Sequence, residues 1–175
     1  MTASSSTASP GASWPAEGRF EGRRAFQDHV RRMLGAVAAG GCPELVLCDP
    51  SFEDWPLGER GLMDTWTRWA TTHSNGRCIL IAASFEGFAR QHPLWVAWRQ
   101  AWSHRVQCLQ PADDLVGSLP SWFFVKGRFL LERVDPLGHR GLLTSEASRL
   151  VSCQEGCDAI TQRSLETFPA TTLGL

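Results

Sequence analysis

Three short apolar runs, at residues 44–49 (ELVLCD), 77–82 (RCILIA) and 105–109 (RVQCL), constrain the fold of this chain more than any other feature. Each is shorter than a stable helix and nearly continuous in apolar side chains, the pattern of a strand buried on both faces. Two amphipathic segments separate them. One spans about residues 59–73, with Leu62, Trp66, Trp69 and His73 on one face; the other starts at Pro93 and carries Trp95, Trp98 and Trp102 on one face. Strand and helix alternating at these lengths imply right-handed βαβ crossovers. The expected class is α/β, with a mixed, mostly parallel sheet covered by helices on both faces.

A first helix is predicted from about Phe20 to Ala39, ended by Gly40-Gly41 and Pro43. Phe26, Val30, Met33 and Val37 share its apolar face, Arg23, Arg24, Arg31 and Arg32 lie largely outside it, and Asp28 is spaced to pair with Arg32. After Pro111 the rhythm changes. Residues 121–134 (SWFFVKGRFLLERV) read as a C-terminal hairpin turning at Gly127. Residues 141–144 and 149–152 are expected as short additions at the sheet edge, and 155–165 as a last helix. The 175 residues fit one domain over 19–166, between a tail rich in Ser, Thr, Ala, Gly and Pro (1–18), expected to be disordered, and a loose tail (167–175).

The order helix, three β/α units, hairpin resembles one half of a phospholipase D-like domain. More narrowly, it resembles the small bacterial proteins that keep that scaffold without its active site. In the family's motif a His and a Lys two residues apart precede a short apolar strand, and an Asp lies just before a turn Gly. Laid on residues 118–128, the motif puts its His at Leu119, its Lys at Ser121 and its Asp at Lys126, and none of the three matches. Phosphodiester chemistry of that kind needs an imidazole nucleophile and cationic groups on the phosphoryl oxygens. The resemblance therefore implies a degenerate site with no catalytic residue, and a binding or assembly module. A protein partner is expected, a second copy included, because paired halves build the site in the enzymes this chain resembles.

A second set of candidates comes from the strand ends. Asp49 ends the first run, with Glu53 and Asp54 in the loop after it; Glu86 follows the second, and Asp113-Asp114 the third. In an open parallel sheet these loops share the carboxyl edge, where ligands bind. Clustered carboxylates there could hold Mg²⁺ for a hydrolase or phosphotransfer reaction, although capping and solvated turns explain such residues as well. Trp55, beside Pro56 in a loop, and Trp122 are candidates for an interaction surface, whereas the helical tryptophans fit core packing better than base stacking.

Net charge is −1, with 17 basic and 18 acidic residues, so no global field attracts nucleic acid; arginines of the first helix are the remaining candidates for that role. The six cysteines form no CxxC framework, and Cys153-x3-Cys157 with His139 is a poor match to a structural zinc site. Thiols in apolar runs, with neither a membrane span nor a secretory leader evident, point to a reducing, cytoplasmic setting.

Overall fold

The computed structural model describes residues 13–41 and 44–170. Cys42, Pro43 and the outer parts of both expected tails lie outside the described residues. Along the chain run β1 (Gly18–Glu21), α1 (Arg23–Gly40), β2 (Glu44–Cys48), α2 (Arg60–Thr72), β3 (Arg77–Ile81), α3 (Phe88–Gln91) and α4 (Pro93–Ala101). A 3₁₀ turn at Ser103–Arg105 leads to β4 (Val106–Pro111), α5 (Asp113–Val116), β5 (Ser121–Val125), β6 (Phe129–Asp135), β7 (Arg140–Thr144), α6 (Ala147–Gln162) and β8 (Ser164–Glu166).

Among the described residues the strands form one eight-stranded sheet in the order β1-β7-β6-β5-β2-β3-β4-β8. Only β2–β3 and β3–β4 pair in parallel. The expected α/β class with a hairpin holds, but the sheet is mostly antiparallel rather than mostly parallel. Connection length is the reason. Helices α2 and α4 carry the chain back over the sheet between parallel neighbours, whereas short turns join β5 to β6 and β6 to β7, and such turns permit only antiparallel pairing. At the β5–β6 turn the Arg128 N–H donates to Val125 O (2.9 Å), and Gly127 takes φ +67°, open to glycine at little cost.

Each face of the sheet has its own core. On one, Leu45 and Leu47 of β2, Leu80 of β3, Cys108 of β4, Phe123 of β5 and Leu131 of β6 meet α1, α2 and α4, including Phe26, Val30, Met33, Trp66, Trp69 and Trp95. On the other, Val46, Ile79, Leu109, Phe124 and Leu130 meet Leu150, Cys153 and Cys157 of α6. Trp98 and Trp102 pack against the first core, as their helical spacing predicts.

Several boundaries differ from expectation. Gly22, at φ +98°, separates a short edge strand from α1, so the start of the expected helix is β1. Residues 149–152 belong to α6, because Leu150, Cys153 and Cys157 recur at helical spacing toward the sheet. The last residues of the expected final helix instead form β8, antiparallel to β4. Asp28 pairs with Arg31 at 2.6 Å, and Arg31 also reaches Glu59. Ordered packing extends past residues 19 and 166: Trp14 stacks on Phe129 at 5.5 Å, and Phe168 stacks on Phe85 at 5.2 Å. No described helix is long and apolar enough to cross a membrane.

Candidate functional site

Strand periodicity places three polar residues in line with the first core. Asp49 extends the inward row of Leu45 and Leu47 on β2. Ser121 precedes Phe123 and Val125 in the inward row of β5, and Arg133 follows Phe129 and Leu131 in that of β6. Register then brings them together. Ser121 is directly opposite Arg133, and Cys48 is opposite Trp122, so Asp49 and Ser121 are the next residues along that ladder.

The resulting centre is buried and densely bonded. Arg133 Nη2 donates to Asp49 Oδ2 (2.8 Å) and Arg133 Nε to Ser121 Oγ (3.1 Å), while the Ser121 hydroxyl donates to the same Asp49 oxygen (2.6 Å). The other Asp49 oxygen accepts the backbone N–H groups of Ser51 (3.1 Å) and Phe52 (2.8 Å). Side-chain exposure is 4% for Arg133 and 2% for Asp49. The guanidinium carbon lies 4.6 Å from the centre of the Phe26 ring on α1, a cation–π contact.

Toward solvent, Arg133 Nη1 donates to Asp54 Oδ2 (3.0 Å) and approaches His139 Nδ1 (3.4 Å), and Arg23 Nε pairs with Asp54 Oδ1 (3.0 Å). His139 sits at φ +49° in the β6–β7 turn, with its carbonyl accepting from Gly22 N–H. The loop carrying Asp54 is held from two sides. Gln27 Nε2 donates to Asp54 O (2.9 Å), and the His92 imidazole bonds Phe52 O through Nε2 (3.0 Å). Burial holds the His92 imidazole below the ordinary histidine value of 6.5. An open depression of about 320 Å³, lined by Arg23, Gln27, Glu53, Trp55 and Glu59 among others, borders this loop.

Of the carboxylates singled out above, only Asp49 and Asp54 meet at this centre, each bonded to arginine. Glu53 is exposed, Asp113 heads the short α5, and Asp114 pairs with Arg163 at 2.7 Å. Among the described residues no three His, Cys, Asp or Glu side chains form a group able to hold a metal ion. Trp55 is in the core, 3% exposed against Phe26, Phe52 and Phe123, rather than on an interaction surface, because the loop folds inward at Phe52. Trp122 is half-buried under α6 and donates from Nε1 to Glu132 (3.3 Å). Lys126 pairs with Glu44 at 3.0 Å, and Leu119 is buried in the core on the α6 face. Cys153 and Cys157 face that same core and His139 stands beside Arg133, so they share no site. A hydrogen bond with Cys157, together with burial, pushes the Cys153 thiol up, and burial raises the Cys48 thiol.

Arg133 as the partner of Asp49, and His139 as a neighbour of Arg133 and Asp54, were not visible as a site in the sequence. A signal existed: a strand with apolar residues at 129 and 131 carries arginine at the next inward position, 133.

Taken together, a parallel β2–β3–β4 unit extended by an antiparallel meander, with helices on both faces, is a mixed α/β fold consistent with the phospholipase D-like scaffold. The solved structures it is similar to include NucT from Helicobacter pylori, with a TM-score of 0.52, 8% identity, and coverage of 87% of this chain and 99% of that one. Phosphatidylserine synthase from Haemophilus influenzae Rd KW20 also aligns, with a TM-score of 0.49 and 14% identity over 83% of this chain and 38% of that one. No family model and no curated protein sequence matches the chain.

Proposed function

We propose that this chain is a phospholipase D-like domain that carries out no phosphodiester chemistry and serves as a binding or assembly module. The observation that carries this reading is the closed state of Arg133. Its guanidinium is held by Asp49, Ser121 and Asp54, and it is buried against Phe26. A cation that stabilises a transferring phosphoryl group must present free donors to it. The positions where the resemblance would put the nucleophile and its lysine hold Leu119 and Ser121. One is buried among apolar side chains and the other bonds a carboxylate. Neither supplies an imidazole or a cation.

The partner in this reading is a protein, with a second copy of the chain as the first candidate. The test has two readouts on the same preparation: sedimentation velocity across micromolar concentrations, and turnover of bis(4-nitrophenyl) phosphate. Self-association without turnover is the expected result. A strict monomer that hydrolyses the diester would end the proposal.

A further inference from the structure

Arg99, on α4, is 3% exposed, yet among the described residues no carboxylate pairs with it. Its Nη1 donates to the backbone carbonyl of Phe168 (2.5 Å), its guanidinium carbon lies 5.4 Å from the centre of the Phe168 ring, and its Nε is buried without an acceptor. Glu166, two residues before Phe168, bonds Gln107 instead. An ion buried without a counter-ion is destabilising, so a neutral carbonyl is a poor partner for this guanidinium. Trp95 and Trp98, on the same helix, also bury indole N–H groups that find no acceptor. This part of the helical layer is rich in donors and poor in anions.

The group that fills the position is held awkwardly. Phe168 sits at φ +51°, a left-handed conformation unfavourable for an aromatic residue. Its ring stacks on Phe85 (5.2 Å, 10° between planes) and meets Phe88 edge-on (5.6 Å, 68°), and it is only half-buried. The slot therefore takes a flat ring between Phe85 and Phe88, with an oxygen of the same residue on Arg99.

We propose that this slot is a binding site for an aromatic carboxylate, that Phe168 occupies it as an internal stand-in, and that a ligand carboxylate supplies the anion that no described residue gives Arg99. Displacing Phe168 would relieve its backbone strain and replace a neutral hydrogen bond with a charge-assisted one. The site lies on α3, α4 and the C-terminal segment and uses none of the side chains of the Asp49–Ser121–Arg133 centre, so it stands whether or not the chain hydrolyses phosphodiesters.

The test empties the slot in the full chain with Phe168→Ala and titrates N-acetyl-phenylalanine, read by tryptophan fluorescence, since Trp95 packs against Phe88 at 5.4 Å. Saturable binding is expected, about tenfold weaker for N-acetyl-phenylalaninamide, which lacks the charge. The acid–amide difference should vanish when Arg99→Met is added. Phenylacetate serves as a second probe: equal affinity indicates a small free acid, and tighter binding of the amino-acid derivative indicates a peptide chain end. If Phe168→Ala does not fold, Phe168→Leu is titrated in the same way. A folded variant that shows no saturable change, or that binds acid and amide equally, overturns the proposal.

Discussion

Arg133 and Asp49 form an ion pair across β6 and β2, two strands that are not neighbours, with β5 and its Ser121 between them (Nη2 to Oδ2, 2.8 Å). The pair is almost wholly withdrawn from water. Removing Arg133 therefore leaves Asp49 without a counter-ion, and removing Asp49 leaves the buried Arg133 only the partly exposed Asp54. Asp49→Asn and Arg133→Met are each expected to lose about 3–5 kcal/mol of unfolding free energy. Because the residues touch, the double variant Asp49→Asn/Arg133→Met should lose much less than the sum. Urea unfolding of the four proteins measures this; additive losses would show that the pair is not coupled.

The same geometry bears on metal binding. Both Asp49 oxygens are engaged, by Arg133 and Ser121 on one side and by two backbone N–H groups on the other. A cation would have to displace the guanidinium, so calorimetric titration with Mg²⁺ is expected to show no saturable heat. Saturable binding that disappears in Asp49→Ala would restore the metal-dependent reading.

His92 ties stability to pH. Burial depresses its folded-state value below 6.5, while the unfolded chain titrates near that value. Between the two values the unfolded state binds the proton and the folded state does not. The stability from neutral His92 is thus complete above about pH 6.5 and is lost as pH falls through the folded value. His29 shifts in the same direction, chiefly through burial, so the comparison must be between proteins. The wild type should lose stability from pH 7 toward pH 5 more steeply than His92→Gln, as measured by urea midpoints. Parallel slopes would remove His92 as the cause.

Two helical glycines should respond oppositely to the same substitution. A Cβ on Gly35 of α1 meets nothing within 4 Å, so Gly35→Ala is expected to stabilise the fold by about 0.5–1 kcal/mol. A Cβ on Gly156 of α6 would stand 2.8 Å from Trp122 Cη2. There the helix gain is offset by displacement of an indole that also bonds Glu132, and a net loss of about 1 kcal/mol is expected. Trp122→Leu should restore the usual alanine gain at residue 156. Equal effects at the two positions in thermal unfolding would contradict this packing.

Much of the architecture was legible because it rests on local pattern. The runs that became β2, β3 and β4 are nearly continuous in apolar side chains, and the stripe of Phe26, Val30, Met33 and Val37 on α1 and the Gly127 hairpin are written in spacing and residue type. What escaped depends on long-range choices. β1 and β8 are short edge strands of three or four residues, and only Phe20 among them is buried. That β5 joins β2 antiparallel is a tertiary decision that no local period encodes. At the site, Asp49 and Asp54 were legible as acidic loop residues. Their arginine partner lies 84 and 79 positions away, and only strand order and register bring it there. Trp55 was misplaced for a related reason: a loop that folds inward on Phe52 and is held by His92 has the composition of an exposed one.

The Asp49–Ser121–Arg133 centre is proposed to be structural rather than reactive. Its most direct test is the hydrolysis of bis(4-nitrophenyl) phosphate by the full chain at high protein concentration, with and without Mg²⁺, beside His139→Ala and Arg133→Lys. Release of 4-nitrophenolate is expected to be indistinguishable from buffer for all three proteins. Turnover by the wild type that is lost in either variant would contradict it.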